Sequence, residues 1–89
     1  MNPTVEDAYW RDNYSKRPYA SADQDYGSYQ PADAYGWESH DEHKGRSWAD
    51  VEHELANGWD SRRGKSRLDW AHAKEATRDA WNRPDGKTR

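Results

Sequence analysis

Tryptophan marks the hydrophobic positions of this chain at a fixed interval: Trp37, Trp48, Trp59, Trp70 and Trp81 stand eleven residues apart, with Tyr26 one step earlier. Eleven residues close about three helical turns, so two Trp residues one interval apart on the same helix share a face. Gly36, Gly45, Gly58 and Gly64 interrupt the track, which argues against a single continuous helix and for two, each holding one Trp pair. On the first, Trp48, Val51, Leu55 and Trp59 form a narrow apolar stripe among polar residues; on the second, Trp70, Ala73, Thr77 and Trp81 do the same.

A 22-residue repeat supports the pairing. Ser47-Trp48-Ala49-Asp50-Val51 aligns with Asp69-Trp70-Ala71-His72-Ala73, and Asn57-Gly58-Trp59-Asp60 with Asp79-Ala80-Trp81-Asn82. Ser47 with Asp50, and Ser66 with Asp69, have the spacing of a helix-capping box. Gly64 closes the first unit and Pro84 with Gly86 the second. These signals predict helices over 48–62 and 67–82, made antiparallel neighbours by the link Gly64-Lys65-Ser66. Pro3, with Thr4 and Asp7 at cap spacing, predicts another helix ending near Tyr14. Residues 15–45 carry Pro18, Gly27, Pro31, Gly36 and Gly45 and read as extended, turn-rich chain laid across the hairpin. The expected fold is all-α: a small antiparallel helical hairpin (46–84), a short N-terminal helix and an extended aromatic-rich arm (1–45), and a tail (85–89), in one domain overall.

Composition changes what the core must be made of. In 89 residues Val, Leu and Met together number five, and Ile and Phe are absent; the apolar 31% is mostly Ala, Trp and Tyr. With 35% charged residues and a mean hydropathy of -1.63, an aliphatic core is excluded. Such poverty signals disorder, but six Trp residues, each able to bury roughly 150–250 Å², supply an aromatic core instead. The lack of cysteine removes disulfides, thiol catalysis and thiolate metal sites. The opening residues carry neither a secretory leader pattern nor a membrane-spanning stretch, so a cytoplasmic protein without membrane contact is expected. Net charge is -3, distributed as an acidic first half and a slightly basic second half.

Ser28-Tyr29-Gln30-Pro31-Ala32-Asp33-Ala34-Tyr35-Gly36-Trp37-Glu38, Gly45-Arg46-Ser47-Trp48 and Arg63-Gly64-Lys65-Ser66-Arg67-Leu68-Asp69-Trp70 carry a resemblance. So do Arg78-Asp79-Ala80-Trp81 and Tyr9-Trp10-Arg11-Asp12-Asn13-Tyr14. Together they resemble a family of short, uncharacterised, Trp/Tyr-rich bacterial proteins, similar in turn to proteins encoded among bacterial stress functions. Asp33 and Ala34 depart from the pattern, where an aromatic and a basic residue would be expected. The resemblance implies a bacterial cytosolic origin and supplies no mechanism.

Candidate chemistry is sparse. Gly64-Lys65-Ser66 and Gly86-Lys87-Thr88 end like a phosphate-binding loop, but the glycine required five positions before is Trp59 or Trp81. His40-Asp41-Glu42-His43 offers ligand types without a defined third partner and reads as a polar linker. No catalytic residue, cofactor, metal or small-molecule substrate is therefore expected. Arg62, Arg63, Lys65 and Arg67 cluster at the hairpin link and make a polyanion contact, and so a nucleic-acid accessory, the main alternative. High hydrophilicity and the eleven-residue period also suit a stress-protectant hydrophilin, although Trp as repeat marker does not. The expected role is non-catalytic interaction with another protein or with itself, through Trp10, Tyr26, Tyr29, Tyr35, Trp37, Trp48, Trp59, Trp70 and Trp81, with Trp10 and Trp37 turned outward.

Overall fold

A computed structural model describes residues 3–21 and 24–83. They form four α-helices, α1 (Pro3–Asn13), α2 (Tyr26–Glu42), α3 (Trp48–Arg62) and α4 (Trp70–Asn82), with a 3-10 turn, Tyr14–Lys16, after α1. The all-α class expected from the pattern is the one found, with no strand among the described residues.

α3 coincides with the helix predicted at 48–62. Ser47 caps it, its hydroxyl accepting from the Asp50 backbone N–H at 3.2 Å, and Gly64 turns the chain away at φ +57°. α4 starts three residues later than predicted, because Asp69 and not Ser66 is the cap: its carboxylate accepts from the His72 N–H at 3.0 Å. The Ser66 hydroxyl instead donates to the Ser28 carbonyl at 2.6 Å and accepts from the Leu68 N–H at 3.2 Å. Residues 63–69 are thereby bound onto α2 and the core, a longer connection than the three-residue link anticipated. Rings of the two helices meet: Trp59 lies 6.3 Å from Trp70, and Trp48 lies 6.0 Å from Trp81 and 6.5 Å from Trp70.

The extended arm is not what folds. Residues 26–42, expected as turn-rich chain, form the longest helix and the centre of the protein. Pro31 lies in its second turn, where the acceptor it forgoes is the Gly27 carbonyl at the exposed start of the helix. Gly36 is a packing residue: a Cβ there would sit 2.3 Å from the Thr77 carbonyl oxygen and 2.7 Å from the Ala80 Cβ. α2 can therefore lie close along α4, and the buried Thr77 hydroxyl donates to the Ala32 carbonyl at 2.9 Å to fix the register. The expected tail, 85–89, and the second Gly-Lys-Thr run lie outside the described residues.

Candidate functional site

Two aromatic clusters result. In the larger, Trp59 and Trp81 from the hairpin helices meet Tyr29 and Tyr35 of α2 around Val51, Leu55 and Leu68. Tyr35 is the hub, with its ring centroid 5.8 Å from Trp59 and 6.2 Å from Trp70, and its hydroxyl donating to the Leu55 carbonyl at 2.8 Å. The Trp59 indole N–H donates to the Leu68 carbonyl at 2.9 Å, and the Tyr29 hydroxyl accepts from the Ser21 N–H at 2.9 Å. Trp48, Trp59, Trp70 and Trp81 of the two C-terminal helices thus pack together beside α2.

The smaller cluster corrects an expectation. Trp10 and Trp37, anticipated as outward-facing, are 0% and 3% exposed and pack with Ala80, edged by Tyr9, Tyr26 and Ala34. Once residues 26–42 are helical, α1 lies over α2, and both rings have a surface to bury against. Tyr26 joins the clusters, its ring tilted against Tyr14 at 5.2 Å and its hydroxyl donating to the Asp7 carboxylate at 3.1 Å.

Of the six indoles, only those of Trp48 and Trp70 reach the surface. Both are half-buried, stacked at 6.5 Å and 26°, and framed by exposed Ala49 and Ala71. One turn further along each helix, Lys74 and Glu52 bridge the same edge at 3.3 Å. Trp48 with Trp70, and Glu52 with Lys74, are counterparts in the 22-residue repeat, so the repeat places like with like across one face.

The structure divides the basic link. Arg62 pairs with Glu38 of α2 and lies 5.0 Å over the Tyr35 ring; Arg63 pairs with Asp60 at 3.1 Å and donates to the Ser66 carbonyl. Lys65 and Arg67 are exposed and rim an open cleft of about 540 Å³ with Tyr14, Gln24, Gly27, Ser28 and the Asp25 carboxylate. The four cations thus do not form one surface. His40 belongs to the end of α2, its ring edge-on to Trp81 at 5.2 Å, so of the segment read as a polar linker residues 40–42 are helical and His43 caps the helix.

Sequence reasoning missed Asp33. It is wholly buried on α2, and neither carboxylate oxygen has a hydrogen-bond partner among the described residues. Burial raises its pKa well above the usual carboxylate range, and the charges of Asp79 and Asp7 add to the shift. Burial likewise raises the Tyr19 and Tyr26 hydroxyls, with the Asp33 charge contributing to both. The available signal was the spacing of Tyr29, Ala32, Asp33, Gly36 and Ser39, which puts an aspartate on the buried stripe of a helix.

Among the described residues, no group of three His, Asp or Glu side chains is placed to hold a metal, and no helix is long and apolar enough to cross a membrane. Compared with known proteins, the chain matches no family model, no curated sequence and no solved structure.

Proposed function

We propose that this chain is a non-catalytic accessory module that binds another protein or a second copy of itself along the α3–α4 edge. The observation that supports this reading is the half-buried Trp48–Trp70 stack: of the six indoles, the other four are closed into the interior. Indole rings that are already ordered lose little side-chain entropy on binding, and a rim of small alanines lets a partner surface reach them. The flanking Glu52–Lys74 pair offers both charge signs, which suits a protein partner better than a polyanion. The resemblance to short bacterial proteins near stress functions points to a bacterial cytoplasmic setting. The hydrophilin alternative requires a chain that stays unfolded, at odds with so many rings enclosed.

The test leaves the core alone. Ala49→Glu and Ala71→Glu place charge beside the stack at exposed positions, so helical circular dichroism should persist. Sedimentation equilibrium across concentrations, and crosslinked capture from a bacterial lysate, should show association that both substitutions reduce. Association absent at all concentrations, together with capture indifferent to either substitution, would refute the proposal.

A second reading, nucleic-acid binding, is favoured by Lys65 and Arg67 at the rim of the cleft beside α2. It predicts salt-sensitive retention on heparin or single-stranded DNA that Lys65→Ala with Arg67→Ala abolishes. Loss of retention on Arg62→Ala with Arg63→Ala instead would place the contact on residues already paired with acids.

A further inference from the structure

We propose that residues 3–21, α1 with the turn that follows it, form a latch over α2 and α4 that opens when Asp33 loses its proton. The inference does not depend on the binding reading above.

Asp33 sits mid-way along α2 with 0% exposure and no donor to either oxygen among the described residues. Every neighbour that interacts with it electrostatically carries negative charge or a neutral hydroxyl. Asp7 faces it from α1, Asp79 from α4, the Tyr19 phenol from the connecting segment and the Tyr26 phenol from its own helix. The nearby cations are engaged elsewhere: Arg11 pairs with Asp7, Arg17 holds both oxygens of Asp79 at 2.7 and 3.1 Å, and Arg83 pairs with Glu6. A neutral Asp33 is tolerated in this setting. An ionised one is a buried charge without a donor, flanked by two carboxylates, and relief must come from water.

Water enters most readily by lifting α1. α4 is locked to α2 by the Gly36 approach and the Thr77 hydrogen bond, which involve backbone on both helices. α1 is eleven residues long, too short to be stable alone, and is held by side chains. These are the buried Trp10, Tyr26 to Asp7, Arg17 to Asp79, the Arg83–Glu6 pair and the Arg83 guanidinium 3.9 Å over the Tyr9 ring. The indole N–H groups of Trp10 on α1 and Trp37 on α2 have no partner among the described residues, so opening hydrates two donors as well as the carboxylate.

The sign follows from linkage. Asp33 has a folded-state pKa raised above its unfolded value, so the stability it confers is complete below the usual carboxylate range. That stability is lost as pH rises through the folded value. With the Asp7, Asp79 and Glu6 carboxylates ionised, the latch is closed in mild acid and loosens toward alkaline pH.

Hydrogen exchange followed by mass spectrometry on the full chain from pH 5 to pH 9, corrected for intrinsic rates, tests this. In the wild type, amides of α1 should lose protection by about tenfold per pH unit between the ordinary carboxylate range and the raised folded value of Asp33, and level off above it, while α3 and α4 stay protected. Asp33→Asn, isosteric and unable to ionise, should hold α1 closed across the range. Asp7→Asn, which removes one facing carboxylate, should reduce the loss, and it decides the matter if Asp33→Asn fails to fold. Wild-type α1 protection that does not change with pH would overturn the latch. So would a pH-dependent loss that persists undiminished in Asp33→Asn or Asp7→Asn, or one shared equally by all four helices.

Discussion

Replacing Gly36 with alanine asks whether α2 and α4 are in the contact that organises the fold. The added Cβ would lie 2.3 Å from the Thr77 carbonyl oxygen, 2.7 Å from the Ala80 Cβ and 3.0 Å from the Trp81 backbone nitrogen. Two of these three atoms are backbone, so no rotamer change removes the clash. Restoring ordinary separation requires the helices to part by about 1 Å, a gap that forfeits a quarter to a half of the dispersion energy across the seam. Overpacking of this kind costs about 1–3 kcal/mol, with backbone atoms placing it at the upper end, against roughly 1 kcal/mol gained in helix propensity over glycine. Gly36→Ala should therefore destabilise by about 2 kcal/mol, on the order of 10 °C in Tm for a chain this size. Gly27→Ala is the internal control: the nearest atom to its Cβ is a flexible Asp25 carboxylate oxygen at 3.2 Å, and the position is exposed. There the propensity gain should dominate, stabilising by a few tenths to about 1 kcal/mol. Urea unfolding of both variants measures the difference. A Gly36→Ala protein as stable as wild type would refute the close approach, and with it the central position of α2.

Two other substitutions examine individual contacts. A Cβ at Gly58 would meet the Tyr35 hydroxyl at 2.6 Å, so Gly58→Ala should destabilise alone but stabilise in a Tyr35→Phe background; a double-mutant cycle by urea unfolding should give a coupling of about 1 kcal/mol or more, and additivity would exclude the contact. Thr77→Val keeps the shape of a fully buried side chain while deleting its bond to the Ala32 carbonyl, and should lower unfolding free energy by about 1 kcal/mol.

The parts of the fold legible in the sequence were those marked by large residues. Indoles at eleven-residue spacing located α3 to the residue and the ring seam it shares with α4. α2 was illegible for a definite reason. Its buried positions mix Tyr29, Tyr35 and Trp37 with Ser28, Ala32, Asp33, Gly36 and Ser39, so no continuous apolar stripe shows, and a proline and two glycines that ordinarily break helices lie among them. Gly36 and Ala32 are small where α4 approaches, while Tyr29, Tyr35 and Trp37 carry the rings to either side. The start of α4 turned on a different blind spot. Ser66 and Asp69 both suit a cap locally, and the choice was made by the Ser28 carbonyl 38 residues away, a partner available only after folding. Trp10 packs against α2 and Trp37 lies on it, so the burial of both follows only from the helix at 26–42.

A core built from indoles and phenols differs from an aliphatic one in that each ring brings a polar atom that must find a partner, and the two clusters answer this demand differently. In the larger, Trp59 and Tyr35 donate to backbone carbonyls and Tyr29 accepts a backbone N–H. In the smaller, neither the Trp10 nor the Trp37 indole N–H has a partner among the described residues. The same chemical change should therefore have unequal consequences at two equally buried sites, Trp59 at 1% exposure and Trp10 at 0%. Trp59→Phe removes ring area and leaves the buried Leu68 carbonyl without its donor, adding about 1–2 kcal/mol to the packing loss. Trp10→Phe removes similar area but also deletes a desolvated donor that gains nothing from being buried, which offsets about 1–3 kcal/mol. Trp59→Phe should thus be the more destabilising by roughly 2 kcal/mol or more in urea unfolding. If the two substitutions cost the same, hydrogen bonding does not distinguish the clusters. Stability would then follow ring area alone, and α1 would have no reason to be the first element to yield.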